Sequence, residues 1–87
     1  MTEPVIEEEL RKRLRRIEGQ VQGVLRMLDT DRECVEILTQ VRATRAALAQ
    51  VSFQLGERHI RECVAADLDA HDPRVPAMRE VLRLCGS

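Results

Sequence analysis

Leu10, Leu14, Ile17, Val21, Val24 and Leu28 recur at alternating steps of four and three, which predicts a first helix carrying a heptad seam. Pro4 stands near its start, and Glu7, Glu8 and Glu9 follow where negative charge complements the helix dipole. Gly19 and Gly23 lie inside this helix. Each costs about 1 kcal/mol relative to alanine, which close approach of a neighbouring helix would offset. Asp29-Thr30-Asp31 punctuates the chain, with Thr30 or Asp31 placed to cap a second helix. There Cys34, Val41, Leu48 and Leu55 repeat with a heptad period, reinforced by Ile37, Leu38 and Val51. No proline occurs between Pro4 and Pro73, so this helix is predicted to run to about residue 66, with Gly56 the place where it would break. Asp72-Pro73 predicts a cap and first turn for a third helix. Its apolar stripe is Val75, Met78, Leu82 and Cys85, closing at Gly86. No strand pattern, repeat or low-complexity segment interrupts this all-α reading.

The second helix would be roughly 50 Å long, whereas a compact chain of this size has a radius of gyration of about 12 Å. Such a helix needs a partner beyond its own chain. Ala46-Ala47-Leu48-Ala49 lies near the middle of the Cys34–Cys63 span, where small side chains would let two antiparallel copies cross about a two-fold axis.

Composition narrows the picture. The 87 residues are expected to form a single domain, 1–87, and with one Phe and no Trp or Tyr its core must be aliphatic. The net charge of −1 names no partner, so any nucleic-acid surface must come from local clustering. Three cysteines are too few for a disulfide scaffold and point to a reducing cytoplasm. Met1-Thr2-Glu3-Pro4 runs into acids rather than a signal peptide, and no apolar run reaches membrane-span length. No Ser/His/Asp set, phosphate loop or carboxylate pair argues for an enzyme.

Chemistry concentrates at three positions. His59 and Cys63, at i and i+4, share one helical face. Cys34 lies upstream on the same predicted helix, where about 1.5 Å of rise per residue sets it roughly 37 Å from His59. Antiparallel pairing of two copies would bring Cys34 of one to His59 and Cys63 of the other. Two thiolates and an imidazole form a soft donor set suited to Cu(I) or Zn(II), and three ligands favour trigonal Cu(I). On residues alone, buried inert thiols are the commoner explanation of such cysteines. Arg11, Lys12, Arg13, Arg15 and Arg16 form a basic stretch on the first helix. In a generic protein this is a solvated face; in an oligomer it multiplies into a surface for phosphates. Without interleaved aromatics it does not suit single-strand stacking. His71 reads as a loop residue and Cys85 as packing.

Leu14-Arg15-Arg16-Ile17-Glu18-Gly19-Gln20-Val21-Gln22-Gly23 resembles the opening signature of the copper-sensing repressor (CsoR/RcnR-type) family. Cys34-Val35, Leu38-Thr39-Gln40-Val41, Arg45-Ala46-Ala47-Leu48 and His59-Ile60-Arg61-Glu62-Cys63 continue the match across about residues 10–65. The resemblance implies a three-helix protomer, an antiparallel four-helix-bundle homodimer and a dimer-of-dimers homotetramer. It further implies a repressor that holds double-stranded operator DNA when metal-free and releases it on binding Cu(I). Cys34, His59 and Cys63 match the family's Cu(I) ligands, with Cys34 donated by the opposite protomer. The first helix matches the DNA-facing region, with Arg13 and Arg16 foremost.

Within that resemblance, nickel and cobalt sensors use an extra His near the N-terminus, and here no His precedes His59. Sulfur-species sensors keep both cysteines and typically lack the His. Copper sensors often carry Tyr before the first Cys as an outer hydrogen-bonding partner. This chain has Glu33 there, with Glu80 the candidate for the second outer partner, on the third helix. The alternatives are a persulfide-sensing repressor that links Cys34 to Cys63, and a copper-buffering oligomer without DNA activity.

Overall fold

A computed structural model describes residues 3–66 and 71–86; Met1 and Thr2, read above against a signal peptide, lie outside the described residues. Three helices follow in order, α1 (Glu3–Asp29), α2 (Cys34–Ala65) and α3 (Arg74–Cys85), with no strand among the described residues. The chain divides into two compact units, Met1–Val51 and Ser52–Ser87. The first therefore holds α1 with the leading part of α2, and the second holds the remainder of α2 with α3.

In the first unit the core is small and aliphatic. Leu10 and Ile17 from α1 and Val51 from α2 are buried, and Ile6 and Ala47 pack against them. The predicted seam of α1 splits by parity. Leu10 and Ile17 are 6% and 5% exposed, whereas the alternate members Leu14, Val21 and Leu28 stand open at 44% or more. On α2 the covered stripe is Ile37, Thr44, Ala47 and Val51, one helical face by its 3.6-residue phase. Thr44 can be buried there because its hydroxyl donates to the Gln40 carbonyl at 2.8 Å, which satisfies it within the helix. The predicted heptad falls on an adjacent face, and its members Val41, Leu48 and Leu55 are each over 40% exposed.

The link between α1 and α2 departs from the expected cap. Thr30 closes α1 instead of opening α2: its hydroxyl donates to the Arg26 carbonyl at 2.9 Å, and its amide to the same oxygen. Asp31 takes a left-handed φ of 55°, and the Arg32 amide reaches back to the Met27 carbonyl at 3.1 Å. These are the marks of a Schellman ending. A helix end must satisfy its free carbonyls before the chain can turn, and that need claims both residues. The first α2 turn instead starts from the Glu33 carbonyl, which accepts from the Ile37 amide.

In the second unit α2 passes through Gly56 without breaking and ends at Ala65, in line with the predicted run to about residue 66. Ser52, Gly56, His59 and Cys63 follow at steps of four, three and four, and α3 lies along this face. At one end the Cys85 thiol donates to the Ser52 carbonyl at 3.2 Å. A Cβ built on Gly56 would stand 2.2 Å from Cys85 Sγ and 3.7 Å from Val81 Cγ1. The glycine is thus a notch for α3. Seating Cys85 there puts Val81, one turn earlier, on the inward face and swings Leu82 outward to 55% exposure, which corrects the predicted α3 stripe. Gly19, by contrast, has nothing within 4 Å of a built Cβ, so the offset expected there does not come from its own chain.

At its start α3 is held by Asp72. The carboxylate accepts from the Arg74 amide at 2.9 Å and from Arg74 Nε at 3.2 Å. These bonds hold the Asp72 carboxyl below the usual aspartate range, the side-chain bond contributing most.

Two outcomes follow. Asp31→Gly removes a Cβ from left-handed backbone and is expected to raise stability by up to about 1 kcal/mol, read as a higher urea midpoint. Gly56→Ala is expected to lose about 1–3 kcal/mol in the native background, because the added methyl overpacks the contact. In a Cys85→Ala background the same change should gain about 1 kcal/mol from helix propensity. A double-mutant denaturation cycle reads that reversal of sign.

Candidate functional site

The second unit gathers His59, Cys63 and the first turn of α3. The i, i+4 spacing places the imidazole beside the thiol, with Nε2 and Sγ 3.6 Å apart. Cys63 is 7% exposed, while the His59 ring is half-buried. Both point at one atom, the main-chain oxygen of Arg74, which lies 3.1 Å from His59 Nε2 and accepts from the Cys63 thiol at 3.8 Å. Nearby, Glu62 pairs with Arg58 at 3.7 Å. The Arg74 guanidinium is held above its ordinary pKa chiefly by its hydrogen bond to Asp72, and in smaller measure by the charges of Cys63 and Glu62.

The spacing of the pair suits a shared metal ion. Nitrogen and sulfur donors about 2.0 and 2.3 Å from one ion, subtending about 110°, stand about 3.5 Å apart. His59 Nε2 and Cys63 Sγ have that separation. Among the described residues no group of three or more His, Cys, Asp or Glu side chains is assembled into a metal site; the second unit assembles two of the predicted donors. Cys34 is exposed at the first residue of α2, in the first unit.

Of the two expected outer partners, Glu33 belongs to the first unit and Glu80 to the second. Glu33 is exposed and contributes its backbone carbonyl to the start of α2. Glu80 is hydrogen-bonded to Arg83, with Arg83 Nε donating to Oε2 at 3.1 Å. The Arg83 bonds hold the Glu80 carboxyl below its ordinary range. The group that meets His59 and Cys63 is instead a backbone carbonyl. No residue identity encodes such a group; Asp72-Pro73 marked where the turn begins without showing what its carbonyls face. A cavity of about 340 Å³ adjoins the pair, lined by His59, Glu62, Gly56 and Cys85 among others.

The basic stretch sits on α1 in the first unit. Arg13 and Arg16 line a groove of about 340 Å³ with Ile17, Gln20 and Ala47. The same two arginines join Lys12 and Glu9 around a second groove of about 320 Å³. Arg11 and Arg15 are exposed and line neither of these grooves. The structure therefore groups three of the five cations, Lys12, Arg13 and Arg16, and no described helix is long and apolar enough to cross a membrane.

Comparison with known proteins agrees with this arrangement of helices. The copper-sensing transcriptional repressor RicR of Mycobacterium tuberculosis is 47% identical over 53 residues, 61% of this chain and 55% of RicR. The copper-sensing transcriptional repressor CsoR of Bacillus subtilis is 43% identical over 65 residues, 75% of this chain and 64% of that protein. The chain thus spans somewhat more than half the length of these relatives. Among solved structures, the nickel-responsive transcriptional regulator InrS superposes with a TM-score of 0.78 at 35% identity, covering 90% of each chain. The copper-sensing repressor CsoR with Cu(I) from Geobacillus thermodenitrificans superposes with a TM-score of 0.74 at 41% identity, covering 99% of this chain and 88% of that one. The match to the metal-sensitive transcriptional repressor family runs over residues 6–85, and the chain belongs to that family.

Proposed function

We propose that this protein is a Cu(I)-responsive transcriptional repressor of the cytoplasm, with residues 1–87 acting as one functional domain. The observation that carries this reading is the His59–Cys63 pair, set at the separation of two donors to one ion. Cys34 of a second copy supplies the third donor in an antiparallel dimer. The open stripe of Val41, Leu48 and Leu55 on α2 is the surface that such a dimer would cover. A soft set of two thiolates and one imidazole favours Cu(I) over Ni(II), in keeping with the copper-sensing relatives. When bound, Cu(I) would cross-link the two protomers through these three side chains.

DNA binding falls to α1. Lys12, Arg13 and Arg16 converge on the grooves described above, and Arg11 and Arg15 extend the positive surface. Dimerisation, and pairing of dimers into a tetramer, repeats the patch along an operator duplex, and each phosphate contact gains from counterion release. Metal and DNA then act as linked ligands: metal favours an assembly that presents the arginines poorly, and DNA weakens metal binding by the same factor. A coupling of about 1–3 kcal/mol corresponds to roughly 5- to 150-fold.

Anaerobic titration of the reduced protein with Cu(I) against a competing chelator, while operator DNA is followed by fluorescence anisotropy, is expected to give one tight equivalent per protomer and DNA release. Release by Ni(II) and not Cu(I) would reassign the metal. Release by a polysulfide donor alone would move the function to sulfur chemistry at Cys34 and Cys63. DNA that stays bound throughout would remove the sensing assignment. His59→Ala is expected to keep residual thiol binding of Cu(I) but to need at least about tenfold more for the same DNA release. Arg13→Ala with Arg16→Ala should weaken operator binding and flatten its salt dependence by about one unit of log–log slope for each phosphate no longer neutralised, read by anisotropy across a salt series.

A further inference from the structure

We propose that Glu9 limits the affinity of the α1 cation surface for DNA: its carboxylate borders the groove of Lys12, Arg13 and Arg16 and opposes the entry of a phosphate there. The proposal rests on the DNA-binding reading of α1 and names a residue that sets the strength of that binding. Glu9, Lys12, Arg13 and Arg16 stand at i, i+3, i+4 and i+7, which is one face of a helix. All four line the groove of about 320 Å³. Glu7 and Glu8 belong to the same acidic run but line neither of the two grooves on α1.

Acidic residues near the start of a helix complement its dipole, and that accounts for the run as a whole. It does not account for one of the three bordering the cations. A carboxylate one turn before Lys12 and Arg13 is in the favourable order for pairing along a helix. Yet among the described residues no ion pair joins Glu9 to Lys12, Arg13 or Arg16. Glu9, Lys12 and Arg16 are exposed and Arg13 is half-buried, so the negative charge stands at the groove instead of being cancelled in a close contact. A phosphate that neutralises these cations must come near it. A unit charge about 7 Å from a phosphate, in surroundings closer to bulk water than to protein interior, changes a binding constant about three- to tenfold. The limit serves release. Metal weakens DNA binding by a bounded factor, and an operator held too tightly would stay bound when the metal site fills. Glu9 keeps the arginine surface within the range that such a coupling reverses.

Glu9→Gln keeps the length and helical propensity of the side chain and removes only its charge. Anisotropy titrations of the metal-free protein with an operator fragment and with an unrelated duplex are expected to show both held about three- to tenfold tighter by this variant. The gain should shrink as salt rises, because the screening length falls to about 10 Å at 0.1 M and about 3 Å at 1 M. Glu8→Gln makes the same change in net charge outside the groove and should gain less than about twofold. Elution from immobilised heparin, a polyanion without base pairs, should move to higher salt for Glu9→Gln and hardly move for Glu8→Gln. No gain with Glu9→Gln, an equal gain with Glu8→Gln, or a gain indifferent to salt would overturn the limiting role. Weaker operator binding with unchanged heparin elution would overturn it as well, since the carboxylate would then be accepting from a base edge. If neither protein binds either duplex, the DNA reading of α1 fails, and the heparin shift still decides whether Glu9 opposes anions at this groove.

Discussion

The continuity of α2 is the constraint from which the rest of the structure follows. Its backbone hydrogen bonds run from Cys34 to Ala65 with Gly56 included, so one helix serves both compact units and carries all three predicted metal ligands. A helix fixes the order and angular phase of its side chains but cannot fold back on itself. It places His59 beside Cys63 because they are one turn apart. The separation of His59 from Cys63 is therefore a property of the helix itself.

Burial follows the same logic. Each long helix carries more apolar surface than one chain covers. On α1 the alternate seam residues Leu14, Val21 and Leu28 stay open while Leu10 and Ile17 close the core. On α2 the covered stripe and the open heptad stripe are neighbouring faces of one cylinder. The core of the first unit is correspondingly small, with Leu10, Ile17 and Val51 buried at its centre.

In the second unit, packing and chemistry share a single face. Ser52 and Gly56 receive Cys85, while His59 and Cys63 meet the Arg74 carbonyl. The antiparallel course of α3 along α2 determines which turn lies where. The two contacts depend on each other, because the same short helix spans both. A change at the Gly56 notch would thus be felt at the His59 ring with no alteration to either donor.

The sequence by itself determined the three helices, the apolar spacing of α1, the i, i+4 relation of His59 to Cys63 and the clustering of cations on α1, because each depends only on helical period and local order. The family was legible for the same reason, in motifs whose order and spacing survive without coordinates. Other features were decided by tertiary structure. Periodicity could not tell which of two adjacent α2 stripes meets α1, since both have helical spacing. It could not reveal that Gly56 is a notch, because a lone glycine reads as a weakness until a neighbour fills the space its missing Cβ leaves. Thr30 and Asp31 carried a capping signal valid for either helix end, and the open carbonyls of α1 claimed them. The Arg74 carbonyl was invisible for the plainest reason: every residue has one, and only the docking of α3 on α2 selects which of them faces the imidazole and the thiol.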